Sequence, residues 1–335
     1  MEEAPTSNRD LTYAQGTDMF ARMDLLKDSI VLMTLALISI CSESAVADAT
    51  GGRFDPTLGA TDHEGVSGIT NVFPRPTCTM WTTVRREAFV HQGDGNGLPR
   101  NSMEALMRTW ERGAIPETDA RFTKDGVLIS FHDGAWKGRR IADCTWAELR
   151  DEPVAAARGE QFYSIRIPTM DAVFSAMKGH PDRRIFLDDK DAGPMALAQM
   201  ARRHGVGAQV IYHTDRSTLA REWKSHCPEG KANIVIGSGL AAKINALVAE
   251  DFAGVDRVLI IVRTDFGKAD PFVNPSSGEL KKAIAVAHQH GVLVNVFFFG
   301  DAGLNIDAYA RAISLGADSI GTERTDAFFA WIGGM

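Results

Sequence analysis

The chain has 335 residues, of which 44% are hydrophobic and 24% are charged, and this composition excludes a disordered or collagen-like protein. Its formal net charge of −7 argues against a broad basic surface, so we expect no nucleic-acid partner. The length allows two domains, or one barrel of about 250 residues with an additional segment.

The N-terminal region differs from the rest of the chain. Residues 30–40 (IVLMTLALISI) are apolar, but a membrane-spanning helix needs about twenty such residues. Arg22 and Lys27 precede this run and an A-x-A pattern ends at Ala47, an order typical of a secretory signal peptide. We therefore expect residues 1–47 to be a signal peptide, the protein to be periplasmic or secreted, and no stable membrane insertion. A buried N-terminal helix is the alternative.

Residues 48–85 are rich in Gly, Thr and Pro without a sustained period, which indicates a linker or an N-terminal arm. From residue 86 onwards, β-prone runs alternate with helical stretches, as in a parallel sheet built from βα units. The eight candidate strands are Ala88–His91, Ala114–Arg121, Arg184–Lys190, Gln209–His213, Ala232–Ile236, Val258–Val262, Val292–Phe298 and Asp318–Thr322.

Eight such runs predict an α/β fold over residues 86–335, a closed (β/α)8 TIM barrel. An open doubly wound sheet is the structural rival, but residues 91–97 do not contain the G-x-G-x-x-G pattern expected of its first turn. Thr123–Gly126 (TKDG) is a turn signal between two β-prone segments, so we also predict a small hairpin insertion after the second strand.

Acidic residues cluster on two neighbouring candidate strands. Glu117 and Asp119 share one face of a strand because side chains alternate with a period of two, and Asp188 and Lys190 do the same. Crowded carboxylates repel one another unless a cation neutralises them, and oxygen ligands suit Ca²⁺ or Mg²⁺. The pattern predicts one divalent cation. Lys190 could also simply neutralise Asp188 or Asp189, a role that is compatible with the functional one.

Two histidines lie where barrel active sites form. His91 ends the first strand and His132 ends the hairpin, so both can reach the C-terminal mouth. Two imidazoles on opposite sides of a scissile bond can act as base and acid, which suits phosphodiester cleavage. His213 faces the same mouth at the end of the fourth strand, and there we expect a structural role.

The ordered motifs resemble those of the glycerophosphodiester phosphodiesterase family, within the phosphatidylinositol phospholipase C-like barrel superfamily. The family pattern contains H-R-G, E-N, E-x-D, T-K-D-G, H-D, I-P-T, E-x-K and a closing G-x-D-x-I-x-T-D. The corresponding segments here are His91–Gly93, Arg100–Ser102, Glu117–Asp119, Thr123–Gly126, His132–Asp133, Ile167–Thr169, Asp188–Lys190 and Gly316–Glu323.

This resemblance implies the metal-dependent hydrolysis of a small glycerophosphodiester to an alcohol and glycerol 3-phosphate. It places the metal on Glu117, Asp119 and Asp188, and makes His91 and His132 the acid and base pair. Lys190 would stabilise phosphate charge. Phe297 stands where the family often has a tryptophan that packs against the glycerol.

Two residues depart from the family pattern. Gln92 replaces the arginine that normally contacts phosphate, which leaves a neutral amide at that substrate-binding position. Asp188 replaces a glutamate and is one methylene shorter, so the metal would lie closer to that strand or be bridged by water. Cationic residues at 137, 139 and 140 could supply the lost charge, although a solvated loop is the simpler interpretation.

Two alternative functions remain. One is sphingomyelinase D-like or phospholipase D-like action on phospholipids, and the other is a barrel that binds a ligand without turnover.

Overall fold

The computed structural model describes residues 83–95, 97–154, 164–298 and 306–333. All of them belong to the second of the two units into which the chain divides, Thr70–Met335, and not to the first, Met1–Ile69. The predicted signal peptide and residues 48–82 of the predicted arm lie outside the described residues. Among the described helices, none combines the length and the apolar character that a membrane span requires.

The described strands follow the predicted positions closely. In chain order they are β1 (Phe89–Val90), β2 (Ile115–Phe122), β3 (Leu128–Ser130), β4 (Ala135–Trp136), β5 (Arg139–Arg140), β6 (Ile185–Asp189), β7 (Val210–Thr214), β8 (Lys231–Ile236), β9 (Arg257–Thr264), β10 (Phe272–Asn274), β11 (Leu293–Phe298) and β12 (Ser319–Thr322).

Eight of these strands form a closed parallel barrel, in the order β1, β2, β6, β7, β8, β9, β11, β12. Closure is evident at β1, where Phe89 pairs with Ile115 of β2 on one side and with Gly321 of β12 on the other. The predicted TIM barrel is therefore confirmed, and the open sheet is excluded because a ring leaves no edge strand.

The predicted hairpin is also present, since β3 pairs antiparallel with the end of β2 and brings Ala120 opposite Ser130. Two further antiparallel pairs were not predicted, β4 with β5 and β10 with β9. A separate small apolar cluster supports the hairpin region, and it includes Ile129, Phe131, Trp136, Ile141 and Leu149.

The described helices are α1 (Met103–Glu111), α2 (Trp146–Leu149), α3 (Met170–Met177), α4 (Pro194–Arg203), α5 (Ser217–His226), α6 (Leu240–Ala249), α7 (Ser277–Gln289), α8 (Ile306–Ser314) and α9 (Thr325–Gly333). Several begin at side-chain caps that the sequence provides. Ser102, Thr169 and Ser276 each accept a backbone hydrogen bond at the first turn of α1, α3 and α7, which typically stabilises a helix by about 1 kcal/mol.

The core has two parts. The apolar faces of the helices pack on the outside of the barrel. Its inside is filled by six inward-pointing residues of the strands, namely Phe89, Ile115, Phe186, Ile211, Leu259 and Phe297. Residues 83–86 are helical, Val84 is buried in the outer core, and Ser319 donates a hydrogen bond to its carbonyl oxygen (2.7 Å). The packed body therefore includes residues just before position 86.

Candidate active site

The predicted acidic residues converge at the C-terminal mouth of the barrel. Glu117 and Asp119 alternate along β2, and Asp119 lies directly beside Asp188 of β6 in the sheet register. One carboxylate oxygen from each of the three lies within 4.8 Å of the others. The two residues on β2 are buried, and Asp188 is partly exposed.

A tight turn after β1 holds the Glu117 carboxylate. Gln92 and Gly93 both have left-handed backbone conformations, with φ of 56° and 74°. The turn aims the Gln92 backbone N–H at Glu117 Oε2, 2.8 Å away. A Cβ at position 93 would lie 3.0 Å from the carbonyl carbon of Ala105, so the glycine of the H-x-G motif meets both a conformational and a steric requirement.

Asn101 fixes the second carboxylate. Its side-chain amide donates to Asp119 Oδ2 at 2.7 Å, and its Oδ1 accepts from the Thr118 hydroxyl at 2.9 Å. The Gln92 side chain also turns inward and donates to Asp119 Oδ2 at 3.3 Å. The amide at position 92 therefore supports the acidic cluster in this structure instead of extending into the mouth.

Lys190 places a cation directly against the cluster. Its Nζ lies 2.9 Å from Asp119 Oδ1 and 2.7 Å from Asp188 Oδ2. Burial alone would lower the pKa of Lys190, but Asp119, Asp188 and Glu117 together hold it well above its usual value. The ammonium group therefore stays charged.

Three carboxylates and one ammonium group leave the cluster with excess negative charge. Burial, and then the charges of Asp119 and Asp188, raise the pKa of Glu117 well above its usual value. The pKa of Asp119 is instead depressed, because Lys190 and both predicted catalytic histidines outweigh the effect of its burial. An all-oxygen donor set with uncompensated charge is the arrangement that a hard divalent cation fits.

Glu323 anchors His91 from the far end of the sequence. His91 Nδ1 donates to Glu323 Oε1 at 2.8 Å, and Arg100 Nη1 approaches the same oxygen at 3.2 Å. Burial would raise the pKa of Glu323, but the contacts with His91 and Arg100 lower it to about 2, so the carboxylate is ionised and only accepts. In the neutral imidazole, the proton is therefore on Nδ1 and the lone pair on Nε2.

His132 has a comparable but more exposed setting. Its Nδ1 lies 2.9 Å from Asp133 Oδ1. Arg121 donates from Nε and Nη2 to the His132 carbonyl oxygen, at 3.0 and 2.8 Å, and so fixes the backbone where the hairpin leaves the barrel. Each predicted catalytic histidine thus has a carboxylate at Nδ1.

Aromatic rings form the floor of the mouth. The centroid of the Phe297 ring is 5.5 Å from that of the His91 ring, and Phe297 is itself buried against Phe89. His213 reaches from β7 to stack on the other side, with 5.5 Å between its ring centroid and that of Phe89. Burial lowers the pKa of His213 to about 4, so this imidazole is neutral near pH 7.

The cationic β4–β5 pair, which follows His132, does not supply unpaired charge at the mouth. Lys137, Arg139 and Arg140 are exposed and pair with nearby acids on the hairpin and on the segment that follows it: Glu152, Glu148 and Asp143, respectively. In the structure, they form a solvated, locally paired surface.

The structure brings together all the residues that the sequence suggested for the centre, namely His91, Gln92, Glu117, Asp119, His132, Asp188, Lys190 and Phe297. It adds two residues to which the motifs gave no role, Asn101 and Glu323. Both belong to quoted motif segments. The sequence signal for them was a polar or acidic side chain within a motif that leads to the barrel mouth. Their hydrogen-bond partners, however, could be identified only from the fold.

Comparison with known proteins shows which family the sequence is similar to. A sequence model of the glycerophosphoryl diester phosphodiesterase family matches residues 91–327. A glycerophosphodiester phosphodiesterase from Caldanaerobacter subterraneus is 26% identical over 162 residues, which are 45% of this chain. The chain covers 66% of that relative's length, just under two thirds.

Solved structures show the same barrel. A glycerophosphodiester phosphodiesterase from Agrobacterium tumefaciens superposes with a TM-score of 0.57 at 17% identity, over 73% of this chain and 99% of that one. An Oleispira antarctica phosphodiesterase, solved in complex with the product sn-glycerol-3-phosphate, gives a TM-score of 0.57 at 16% identity, over 74% and 96% of the two chains.

The fold and the site together define a phosphodiesterase-type TIM barrel. Because the family match spans most of the chain, the protein belongs to the glycerophosphoryl diester phosphodiesterase family.

Proposed function

We propose that the protein hydrolyses glycerophosphodiesters to an alcohol and glycerol 3-phosphate, using a divalent cation, either Ca²⁺ or Mg²⁺. The observation that carries this proposal is the three-carboxylate cluster flanked by two carboxylate-anchored histidines at one mouth. Both histidines lie close enough to Asp119 to lower its pKa.

Glu117, Asp119 and Asp188 would hold the cation. When bound, it would supply Lewis-acid polarisation of a phosphoryl oxygen and a template for the substrate. Gln92 and Asn101 keep the two β2 carboxylates in place through the hydrogen bonds described above. Lys190 already bridges Asp119 and Asp188, and from there its charge would stabilise the negative charge that develops on the phosphoryl oxygens.

His91 would remove a proton from the attacking hydroxyl through Nε2, because Glu323 keeps the other ring proton on Nδ1. With water as the nucleophile, the alcohol would leave and glycerol 3-phosphate would form directly. With the glycerol 2-hydroxyl as the nucleophile, the alcohol would leave as a cyclic phosphate forms, and water would then open that ring to glycerol 3-phosphate. His132 would protonate the departing alcohol, with Asp133 stabilising its cationic form.

The acid assignment can be tested with two leaving groups. His132→Ala should reduce kcat strongly for glycerophosphocholine, because choline leaves as a poor, unprotonated alkoxide. The same variant should lose far less activity on the p-nitrophenyl diester of glycerol phosphate, since p-nitrophenolate needs no proton. Equal losses on both substrates, or full activity on glycerophosphocholine, would remove His132 from this role.

A second function, action on phospholipids, is favoured by one feature of the mouth. Five large apolar side chains among the described residues are 38–50% exposed. One, Val248, lies near the C-terminal end of α6, and the other four are Met195, Phe266, Val273 and Ile306. These four follow the C-terminal ends of barrel strands and so lie on the mouth side. Faster cleavage of micellar lysophosphatidylcholine than of glycerophosphocholine would support it, and activity confined to water-soluble diesters would exclude it.

We also propose a periplasmic or secreted location, from the apolar run at residues 30–40 and the A-x-A pattern that ends at Ala47. Mass spectrometry of the protein recovered from its native host tests this. A mature N-terminus at Asp48 would support export, whereas an intact N-terminal segment in the cytosolic fraction would contradict it.

A further inference from the structure

One buried imidazole at the mouth has no part in the mechanism above. His213 is 7% exposed and points into the barrel from the end of β7. In the sheet register it lies directly beside Asp188, and the Phe89 and Phe186 rings pack against it. It therefore sits on the floor of the site, next to the predicted metal ligands.

The packing around His213 determines which of its atoms is available. Asn233, the register partner of His213 on the neighbouring strand β8, has its Nδ2 3.0 Å from His213 Nδ1, so this nitrogen already has a hydrogen-bond partner. In the described part of the chain, Nε2 has no hydrogen-bond partner, and it is not among the fully enclosed unpaired polar atoms. Since the phenyl rings close off the barrel beneath it, the small exposed fraction of the ring opens towards the mouth.

The identity of the ligand follows from these surroundings. A neutral imidazole offers either an N–H or a lone pair at Nε2, depending on the orientation of the Asn233 amide. A hydroxyl can both donate and accept, so it satisfies either tautomer. The flanking Phe89 and Phe186 rings suit the C–H groups of a polyol better than they suit a second phosphate.

We infer that His213 is a specificity-determining residue that binds a non-reacting hydroxyl of the substrate's polyol, such as the terminal hydroxyl of glycerol. This inference rests on the proposed function, and it replaces the purely structural role that the sequence suggested for His213. A site that hydrogen-bonds a hydroxyl discriminates against the analogue that lacks it, because the partner is then left buried and unpaired.

The test compares two chromogenic substrates that differ in one hydroxyl. These are the p-nitrophenyl diester of glycerol 3-phosphate and its propane-1,2-diol counterpart, which keeps the 2-hydroxyl but lacks the terminal one. The protein should favour the glycerol substrate in kcat/KM by about 10–100-fold, the range expected for one buried hydrogen bond. His213→Phe keeps the ring stacking but has no polar atom, and should reduce this preference to about 3-fold or less.

Two further variants separate specificity from structure. His213→Gln retains a donor and an acceptor and should restore part of the preference. His288→Gln, on an exposed histidine that pairs with Asp318, should leave the preference unchanged. If His213→Phe lowers kcat/KM equally for both substrates, the residue is structural and the inference is overturned.

Binding measurements keep the inference independent of turnover. If the protein cleaves neither diester, the proposed function fails, but calorimetric titration with glycerol 3-phosphate and with propane-1,2-diol 1-phosphate still tests His213. The inference predicts tighter binding of glycerol 3-phosphate, and loss of that difference in His213→Phe. Equal affinities in the unaltered protein, or an undiminished difference in the variant, would overturn it.

Discussion

Replacing Glu323 by Gln should impair catalysis because it removes the negative charge that orients His91. Burial opposes ionisation of Glu323, yet its pKa is lowered from 4.5 to about 2 by His91 and Arg100. That shift corresponds to about 3 kcal/mol of net favourable interaction with the carboxylate. His91 makes the shorter contact, 2.8 Å against 3.2 Å, so we assign it roughly 2 kcal/mol. Because His91 gains positive charge as it takes the proton, losing this contact should lower kcat by at most about 30-fold.

The assay is steady-state hydrolysis of glycerophosphocholine by Glu323→Gln, with circular dichroism and thermal melting to verify folding. Arg100→Gln is the matched control, because it removes the other partner of the same oxygen and leaves the contact with His91. The control should lose less than about 5-fold in kcat, a smaller share of the same interaction energy. If Glu323→Gln retains wild-type kcat, or if Arg100→Gln has the larger effect, the orienting role of Glu323 is refuted.

Three other predictions follow from the site and its packing. Gly321→Ala should lower the free energy of unfolding in urea by about 1–3 kcal/mol, since a Cβ there would lie 2.7 Å from the Phe297 ring. Gly237→Ala is the control and should be nearly neutral, because a Cβ there would lie 3.6 Å from its nearest neighbour, Ile261 Cδ1. His213 is held neutral by burial with a pKa of about 4 against 6.5 unfolded, so the unfolded state binds the extra proton as the pH falls. Between pH 7 and pH 5, the free energy of unfolding of the unaltered protein should therefore decrease by about 2 kcal/mol more than that of His213→Phe. The same pH dependence of unfolding free energy in both proteins would contradict this. Asp119→Asn should abolish Mg²⁺ or Ca²⁺ binding by calorimetry, and unchanged affinity would show that the cation does not bind this cluster.

Much of the fold was predictable because it depends on short-range patterns. The barrel strands are apolar β-prone runs, and the TKDG turn specifies the hairpin between β2 and β3 through its own backbone preferences. The acidic cluster was predictable for the same reason, since Glu117 and Asp119 share a strand face wherever that strand is placed.

The remaining parts depend on contacts that only the closed barrel creates. Glu323 meets His91 across 232 positions of sequence, because β12 closes the ring beside β1. Asn101 reaches Asp119 from a left-handed backbone conformation that no periodicity indicates. The pairs β4–β5 and β9–β10 each include a strand of only two or three residues, too short to produce a recognisable alternation.

The central claim is that the cluster of Glu117, Asp119 and Asp188, together with His91 and His132, cleaves glycerophosphodiesters with the help of a divalent cation. The most direct measurement is release of glycerol 3-phosphate from glycerophosphocholine by the purified protein, in excess chelator and then with Mg²⁺ or Ca²⁺ restored. We predict activity that is lost in chelator and recovered with one of the two cations. Undiminished activity in excess chelator, or no release under either condition, would contradict the account.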